Sequence, residues 1–167
     1  MTTVIKFSIH GQHVTVCPRI EDNVTHVIIS YTRLTSLPAL PSGLKRLDCS
    51  GNPLTSLPAL PSGLKELYCS NNQLISLPTL PSGLTCLGCY NNQLASLPAL
   101  PSRLTHIWCD HNQLISLPAL KSRLTKLVCD NNQLISLPTL PNRLKKTCLW
   151  QQPIDIVTGL AKWTGET

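Results

Sequence analysis

Eight cysteines in 167 residues invite a metal or disulfide reading. Five of them, Cys49, Cys69, Cys89, Cys109 and Cys129, recur at intervals of 20 residues. Cysteines that share one place in a repeat point alike on stacked strands, not toward one another as a disulfide requires. They serve there as small hydrophobes in a core, and an unoxidised buried set suits a reducing cytosol. Cys86 differs, because its place in the period projects outward. His106 follows in the same column one turn later, with Asp110 and His111 further along that turn. A soft metal or a reactive thiol would use such residues. Cys89 and Cys109 face inward, however, and no four ligands converge, so neither a metal nor a cofactor is expected. Asp110 and Asp130 repeat as a surface column of the kind water ordinarily solvates. No Ser-His-Asp order, phosphate loop or carboxylate pair is present, and the chain reads as non-enzymatic.

Binding chemistry is better represented. Placing each residue in its turn sends Tyr31, Tyr68, Tyr90, Trp108 and Trp150 to one surface or its rim, and only Trp163 of the six Tyr and Trp residues elsewhere. Rings left in water are typical of recognition hot spots. Arg46, Glu66, His106, His111, Lys126, Asp110 and Asp130 stand beside them in varied columns. The alternative is that some rings merely cap strand ends.

The elements that display these residues follow from the repeat. The pattern L-x-x-L-x-C-x-x-N-x-L-x-x-L-P-x-L begins at Leu44, Leu64, Leu84, Leu104 and Leu124, with Ile107 replacing one leucine. In one such turn Leu64, Leu67 and Cys69 enclose a short strand, which stacks in parallel on the strand of the next turn. Asn52, Asn72, Asn92, Asn112 and Asn132 should turn inward where the strand ends and satisfy backbone groups otherwise buried unpaired. The Leu-Pro-x-Leu-Pro return lacks backbone donors and has its φ fixed at proline. It reads as an extended, polyproline-like outer wall. Before the strand come Gly43, Gly63 and Gly83, then Arg103, Arg123 and Arg143. Arginine there argues for ordinary backbone at an exposed site.

Fainter copies continue the period. Val24, Val27, Ile29, Leu34 and Leu37 keep the apolar places, with Thr32 in the asparagine place. Val4, Phe7, Ile9, Val14 and Cys17 precede them, with Gln12 there. Leu144, Leu149, Ile154 and Val157 follow, with Gln152 there. Degenerate outer turns suit a stack whose end turns have no covering neighbour. The expectation is a mainly β, right-handed solenoid of about eight 20-residue turns. A parallel sheet lines its concave face, the convex side is extended, and there is no substantial helix. One domain spans 1–167, with a degenerate turn at 1–23, repeats at 24–143, and a degenerate turn and cap at 144–167.

The wording Leu-Pro-x-Leu-Pro with Asn-x-Leu resembles the short, bacterial-type leucine-rich repeats of type III secreted effectors, the YopM- and IpaH-like group. Similar tracts with cysteine before Asn-Asn-Gln-Leu resemble proteins of large DNA viruses. The resemblance covers about residues 24–160 and implies protein recognition through the concave sheet. Ligase-type members add a catalytic domain with a Cys-x-Asp site. This chain contains no such triplet, so ligase activity is not implied. The residues before Val24 read as a strand turn rather than the helical cap usual in effectors.

Composition adds limits. Aromatics are 4 % and charged residues 13 %, with a formal net charge of +6. Seven of the cations, Arg103, Lys121, Arg123, Lys126, Arg143, Lys145 and Lys146, lie in residues 101–150. Such a half could meet nucleic acid, an acidic protein or a membrane surface, or serve solubility. No signal peptide or membrane span is read, and an intracellular setting, that of a host cell included, is expected. The leading reading is a module that binds a protein partner on its concave face, with host–pathogen interaction as one such setting. A structural role, as a virus-particle protein or a homo-oligomer joined through the edge strand from Val4 to Ile9, is the alternative. Nucleic acid along the basic rim is less favoured, and no membrane partner is expected.

Overall fold

The computed structural model describes residues 6–11 and 14–148 of the chain. Eight parallel strands form one sheet in chain order. They are β1 (Lys6–His10), β2 (His26–Ser30), β3 (Arg46–Asp48), β4 (Glu66–Tyr68), β5 (Cys86–Gly88), β6 (His106–Trp108), β7 (Lys126–Val128) and β8 (Lys146–Cys148). Every register steps by 20 residues, as in Leu47 beside Leu67 and Leu87 beside Ile107. The repeat length therefore is the pairing register, and identical places in the sequence become columns in space. No helix occurs among the described residues. The expected copies around Leu149, Ile154 and Val157, and the places of Val4, Gln12 and Gln152, lie outside them.

β3 to β7 are three residues long, and the middle side chain of each faces the core. Leu47, Leu67, Leu87, Ile107 and Leu127 are fully buried, with the cysteine column next to them and the columns from Leu44 and Leu54 behind. Backbone pairing outruns the strands on both sides, from Lys65 N–H on Lys45 O to Asn72 N–H on Asn91 O. The return is closed by a tight turn in which the N–H of Leu44, Leu64, Leu84, Leu104 and Leu144 donates to the proline carbonyl three residues earlier. Lys121 takes the proline's place in one turn without losing that bond. The residue before the strand has no positive φ, whether glycine or arginine, as the arginine series requires.

The asparagine column closes the strand ends. The Asn92 side-chain nitrogen donates to Cys69 O at 3.0 Å and Cys89 O at 3.1 Å, and its oxygen accepts from Leu74 N at 3.0 Å. Asn72, Asn112 and Asn132 repeat this arrangement one period apart. Each amide thus ties its own turn to the one before it, using both donor and acceptor. Where the column degenerates, the Thr32 hydroxyl donates to the Asn52 side-chain oxygen at 2.6 Å and is itself buried.

Replacing one amide should therefore weaken two turns together. Asn92→Ala leaves the Leu74 N–H buried without its partner, at about 1–3 kcal/mol, and takes from the Cys69 and Cys89 carbonyls one of the two amide donors that each accepts, the other being Asn72 or Asn112. We expect a loss of about 1–3 kcal/mol in urea-induced unfolding followed by circular dichroism. Asn92→Asp should be no better, since it places an acceptor against two carbonyls. A loss below about 0.5 kcal/mol for both, the range of an ordinary surface substitution, would contradict the role assigned to the ladder.

Candidate functional site

Three columns project from the sheet away from the core. The first contains Arg46, Glu66, Cys86, His106 and Lys126, and the second Asp48, Tyr68, Gly88, Trp108 and Val128. The third, just past the strands, contains Ser50, Ser70, Tyr90, Asp110 and Asp130. Strand alternation sends these residues outward because their neighbours Leu67, Leu87 and Ile107 and the cysteines point in. The sheet thus assembles Arg46, Glu66, Tyr68, Tyr90, His106, Trp108, Lys126, Asp110 and Asp130 on one face, with His111 on its rim. Trp150 lies outside the described residues.

Two ring-centred clusters organise the face. In the first, Arg46 Nη1 donates to Glu66 Oε2 at 2.7 Å while the guanidinium carbon stands 4.7 Å from the centre of the Tyr68 ring. Desolvation, followed by the charge on Glu66, pushes the Tyr68 hydroxyl up to about 12. Tyr68 therefore stays a neutral donor at any physiological pH. Gly88 lets its ring lie low: a Cβ there would meet Tyr68 Cδ1 at 3.1 Å. In the second cluster, His106 and Trp108 stack with ring centres 5.6 Å apart and planes 19° apart, and Lys126 Nζ lies 4.9 Å from the centre of a Trp108 ring. The rings are thus steadied by cations and by each other. Tyr68 and Trp108 are half-buried, while Tyr90 and Tyr31 are exposed.

The acidic end of the face is held differently. His111 Nδ1 and Asp110 Oδ2 are 3.0 Å apart, and the Asn131 side-chain nitrogen donates to Asp130 Oδ2 at 2.9 Å. Asp110, His111 and Asp130 bring one ligand atom each within 4.8 Å of one another. That set could hold a hard or borderline cation, and it is not the combination that the sequence suggested. Cys86 and His106 lie side by side on β5 and β6 but contribute nothing to it. His111 has φ 52°, in the place where Asn71, Asn91 and Asn131 have φ 52–54°. Asparagine tolerates that left-handed backbone; histidine does so less readily.

The cysteine column offers no chemistry. Cys49, Cys69, Cys89, Cys109 and Cys129 are fully buried and form no disulfide. Burial first, then neighbouring acidic groups and thiols, raises the thiols of Cys49, Cys69, Cys89 and Cys109 well above the ordinary range. They remain protonated and inert as nucleophiles.

Sequence reasoning missed an apolar stripe. Ile75, Ile115 and Ile135 are 64 %, 50 % and 72 % exposed. Each directly follows an inward leucine of the Asn-Gln-Leu-Ile stretch, and that adjacency was the signal available for an outward position.

Residues 43–64 and 63–87 match the Leucine Rich Repeat family. With the single parallel sheet, the repeats define a leucine-rich-repeat solenoid of the short, bacterial type. Its structure resembles YopM from Yersinia enterocolitica WA-314, with a TM-score of 0.68 at 30 % identity over 91 % of this chain and 40 % of that one. It also resembles a Shigella effector leucine-rich-repeat domain, with a TM-score of 0.68 at 36 % identity over 73 % of this chain and 56 % of that one. YopM from Yersinia pestis, described as a leucine-rich effector protein, gives a TM-score of 0.69 at 31 % identity over 89 % and 51 %. The chain thus spans about half the length of the solved chains it matches. No curated protein matches it. The fold is that of leucine-rich-repeat domains of bacterial effectors. No helix among the described residues is long and apolar enough to cross a membrane.

The thiol column makes a pH prediction. Unfolding frees thiols that ionise near the ordinary value of about 8.5, whereas the folded thiols hold their protons. Stability is therefore intact below that pH and falls as pH rises toward the folded values. Each of the four thiols named above removes roughly 1.4 kcal/mol per pH unit. Urea midpoints measured from pH 7 to 10 should drop steeply above pH 9. Peptide mapping after iodoacetamide at pH 8 should find the five column cysteines unlabelled until denaturant is added. Native labelling of Cys89 or Cys109 would refute the buried column.

Proposed function

We propose that the chain is a non-enzymatic module that recognises a protein partner through its sheet face, the concave side of such a solenoid. Tyr68, Tyr90 and Trp108 are the contact rings, and Trp150 belongs to the same proposed set. The observation that carries this reading is the contrast between columns. Core, asparagine and proline places hardly change from turn to turn, while the first two outward columns hold a different residue at every step and the third passes from serine to tyrosine to aspartate. Folding imposes the first kind of column, whereas partner choice supplies a reason for the second.

Chemistry on the face supports recognition rather than turnover. Rings held by Arg46 and by His106 with Lys126 lose little side-chain freedom on binding, which reduces the cost of association. Glu66, Asp110, His111, Asp130, Arg46 and Lys126 set orientation by mixed charge more than they add affinity. The likeness to effector repeat domains supports a role between a host and a pathogen, with the partner in the host cell.

Isothermal titration against a partner captured with the wild-type chain tests the proposal. Trp108→Ala should weaken affinity by about 2–3 kcal/mol, or roughly 30- to 150-fold, with the urea midpoint nearly unchanged. Unaltered affinity in both Trp108→Ala and Tyr68→Ala would place the contact elsewhere.

Assembly is the second reading, and its observation is that β1 pairs on one side only, with β2, among the described residues. A strand edge of that kind can add a second chain. Light scattering from micromolar to hundreds of micromolar protein decides it. A rising mass supports self-association, and a constant monomer mass excludes it.

A further inference from the structure

The place before the strand and the place two residues after it share one space between consecutive turns. A Cβ on Gly63 would lie 2.7 Å from Lys45 Nζ, and one on Gly83 would lie 2.6 Å from Lys65 Nζ. The ammonium groups of Lys45 and Lys65 therefore occupy the root of the space in which a side chain of the next turn would start. Where the lysine is replaced by Thr85, Thr105 or Thr125, the following turn carries Arg103, Arg123 or Arg143 instead of glycine. The threonines keep clear of it. Thr85, Thr105 and Thr125 Oγ1 donate back to the carbonyls of Lys65, Thr85 and Thr105 at 3.0, 2.9 and 3.1 Å.

The two columns thus trade size while keeping charge. Lysine pairs with glycine across two steps, and threonine with arginine across the next three, so each of these five steps supplies one cation. Packing alone would be satisfied by threonine with glycine, the combination found between Thr25 and Gly43. All five cations are exposed. The ion pairs among the described residues, Arg46 with Glu66 and His111 with Asp110, both lie on the sheet face or its rim. Asp48, Glu66, Asp110 and Asp130 belong to that face as well, and the remaining described acids, Glu21 and Asp22, lie beside Gly43 before the first of the five cations, so no acid stands in the two columns from Lys45 to Arg143.

We propose that Lys45, Lys65, Arg103, Arg123 and Arg143 form a continuous cationic ridge that binds an acidic, extended polypeptide segment along the rim, separately from the sheet face. At about 4.8 Å between parallel strands the row is roughly 19 Å long, the reach of about six residues of extended chain. Nucleic acid fits less well. Single strands are held by aromatic stacking beside the cations, and the ridge columns contain only Gly, Arg, Lys, Thr and one Asn among the described turns.

The test uses the whole chain, a fluorescein-labelled deca-glutamate peptide and a ten-nucleotide oligo-dT, followed by fluorescence anisotropy at equal, low salt. The peptide should bind more tightly than the oligonucleotide and be released by added salt. Arg103→Gln/Arg123→Gln/Arg143→Gln should lower its affinity about tenfold or more, taking roughly two- to fivefold per exposed pair. Lys65→Thr alone should cost about twofold, and Lys65→Thr/Gly83→Arg should restore it, because the cation returns from the other column. Thermal melts verify that each variant is folded. Wild-type affinity in the triple variant, failure of the exchange to restore binding, or tighter binding of the oligonucleotide would each overturn the proposal.

Discussion

Each turn from β3 to β7 ends a strand by burying backbone groups that have no strand left to pair with, and a single asparagine amide answers that problem. A buried N–H or carbonyl without a partner costs as much as several methylenes of apolar burial can supply. Asn72, Asn92, Asn112 and Asn132 present a donor and an acceptor at one point, and each reaches the preceding turn as well as its own. No aliphatic side chain could do this, and aspartate would bring only acceptors. The leucines then pack because the turns are already locked in register. The amide ladder is the constraint, and the apolar columns are its consequence.

A scaffold held this way separates folding from display. The stabilising bonds lie at the strand ends and inside the coil, so the outward columns carry no structural duty. They can hold Glu66 beside Arg46 in one place and a tryptophan stacked on a histidine in another without altering the register. The cysteines belong on the scaffold side of this division. Their small apolar volume fills the space beside the ladder, where their neighbours are the carbonyls that the amides use.

Much of this was legible in the residues, for a physical reason. Parallel strands separated by a constant 20 residues turn sequence periodicity directly into spatial columns, so the inward leucines, the amide ladder and the outward rings could be placed without coordinates. Contacts within the face could not. That Arg46 would bridge Glu66 and cover Tyr68, or that Lys126 would sit over Trp108, depends on rotamers chosen among neighbours on different strands. The combination of Asp110 and His111 with Asp130 escaped notice for the same reason. So did the fit of Lys45 above Gly63, because each column looks unremarkable alone and the relation appears only between them. The isoleucine stripe was different: its position was decided by period, and only attention to the aromatics hid it.

Within one column of the described turns, two residues break the local rule that the others obey. The residue after the third outward column needs a left-handed backbone, which Gly51, Asn71, Asn91 and Asn131 supply at little cost. Tyr31 and His111 adopt the same conformation, with φ of 55° and 52°, and gain no backbone bond that asparagine would lack. Strain of this kind persists where something else holds it. Tyr31 covers Gly51, whose missing side chain leaves room for the ring, and meets His10 edge-on at 5.6 Å. It is thereby accounted for by packing at the first turns. His111 has only Asp110 and remains exposed, so packing does not account for it. Of the two departures, the one at His111 is the one that packing leaves unexplained.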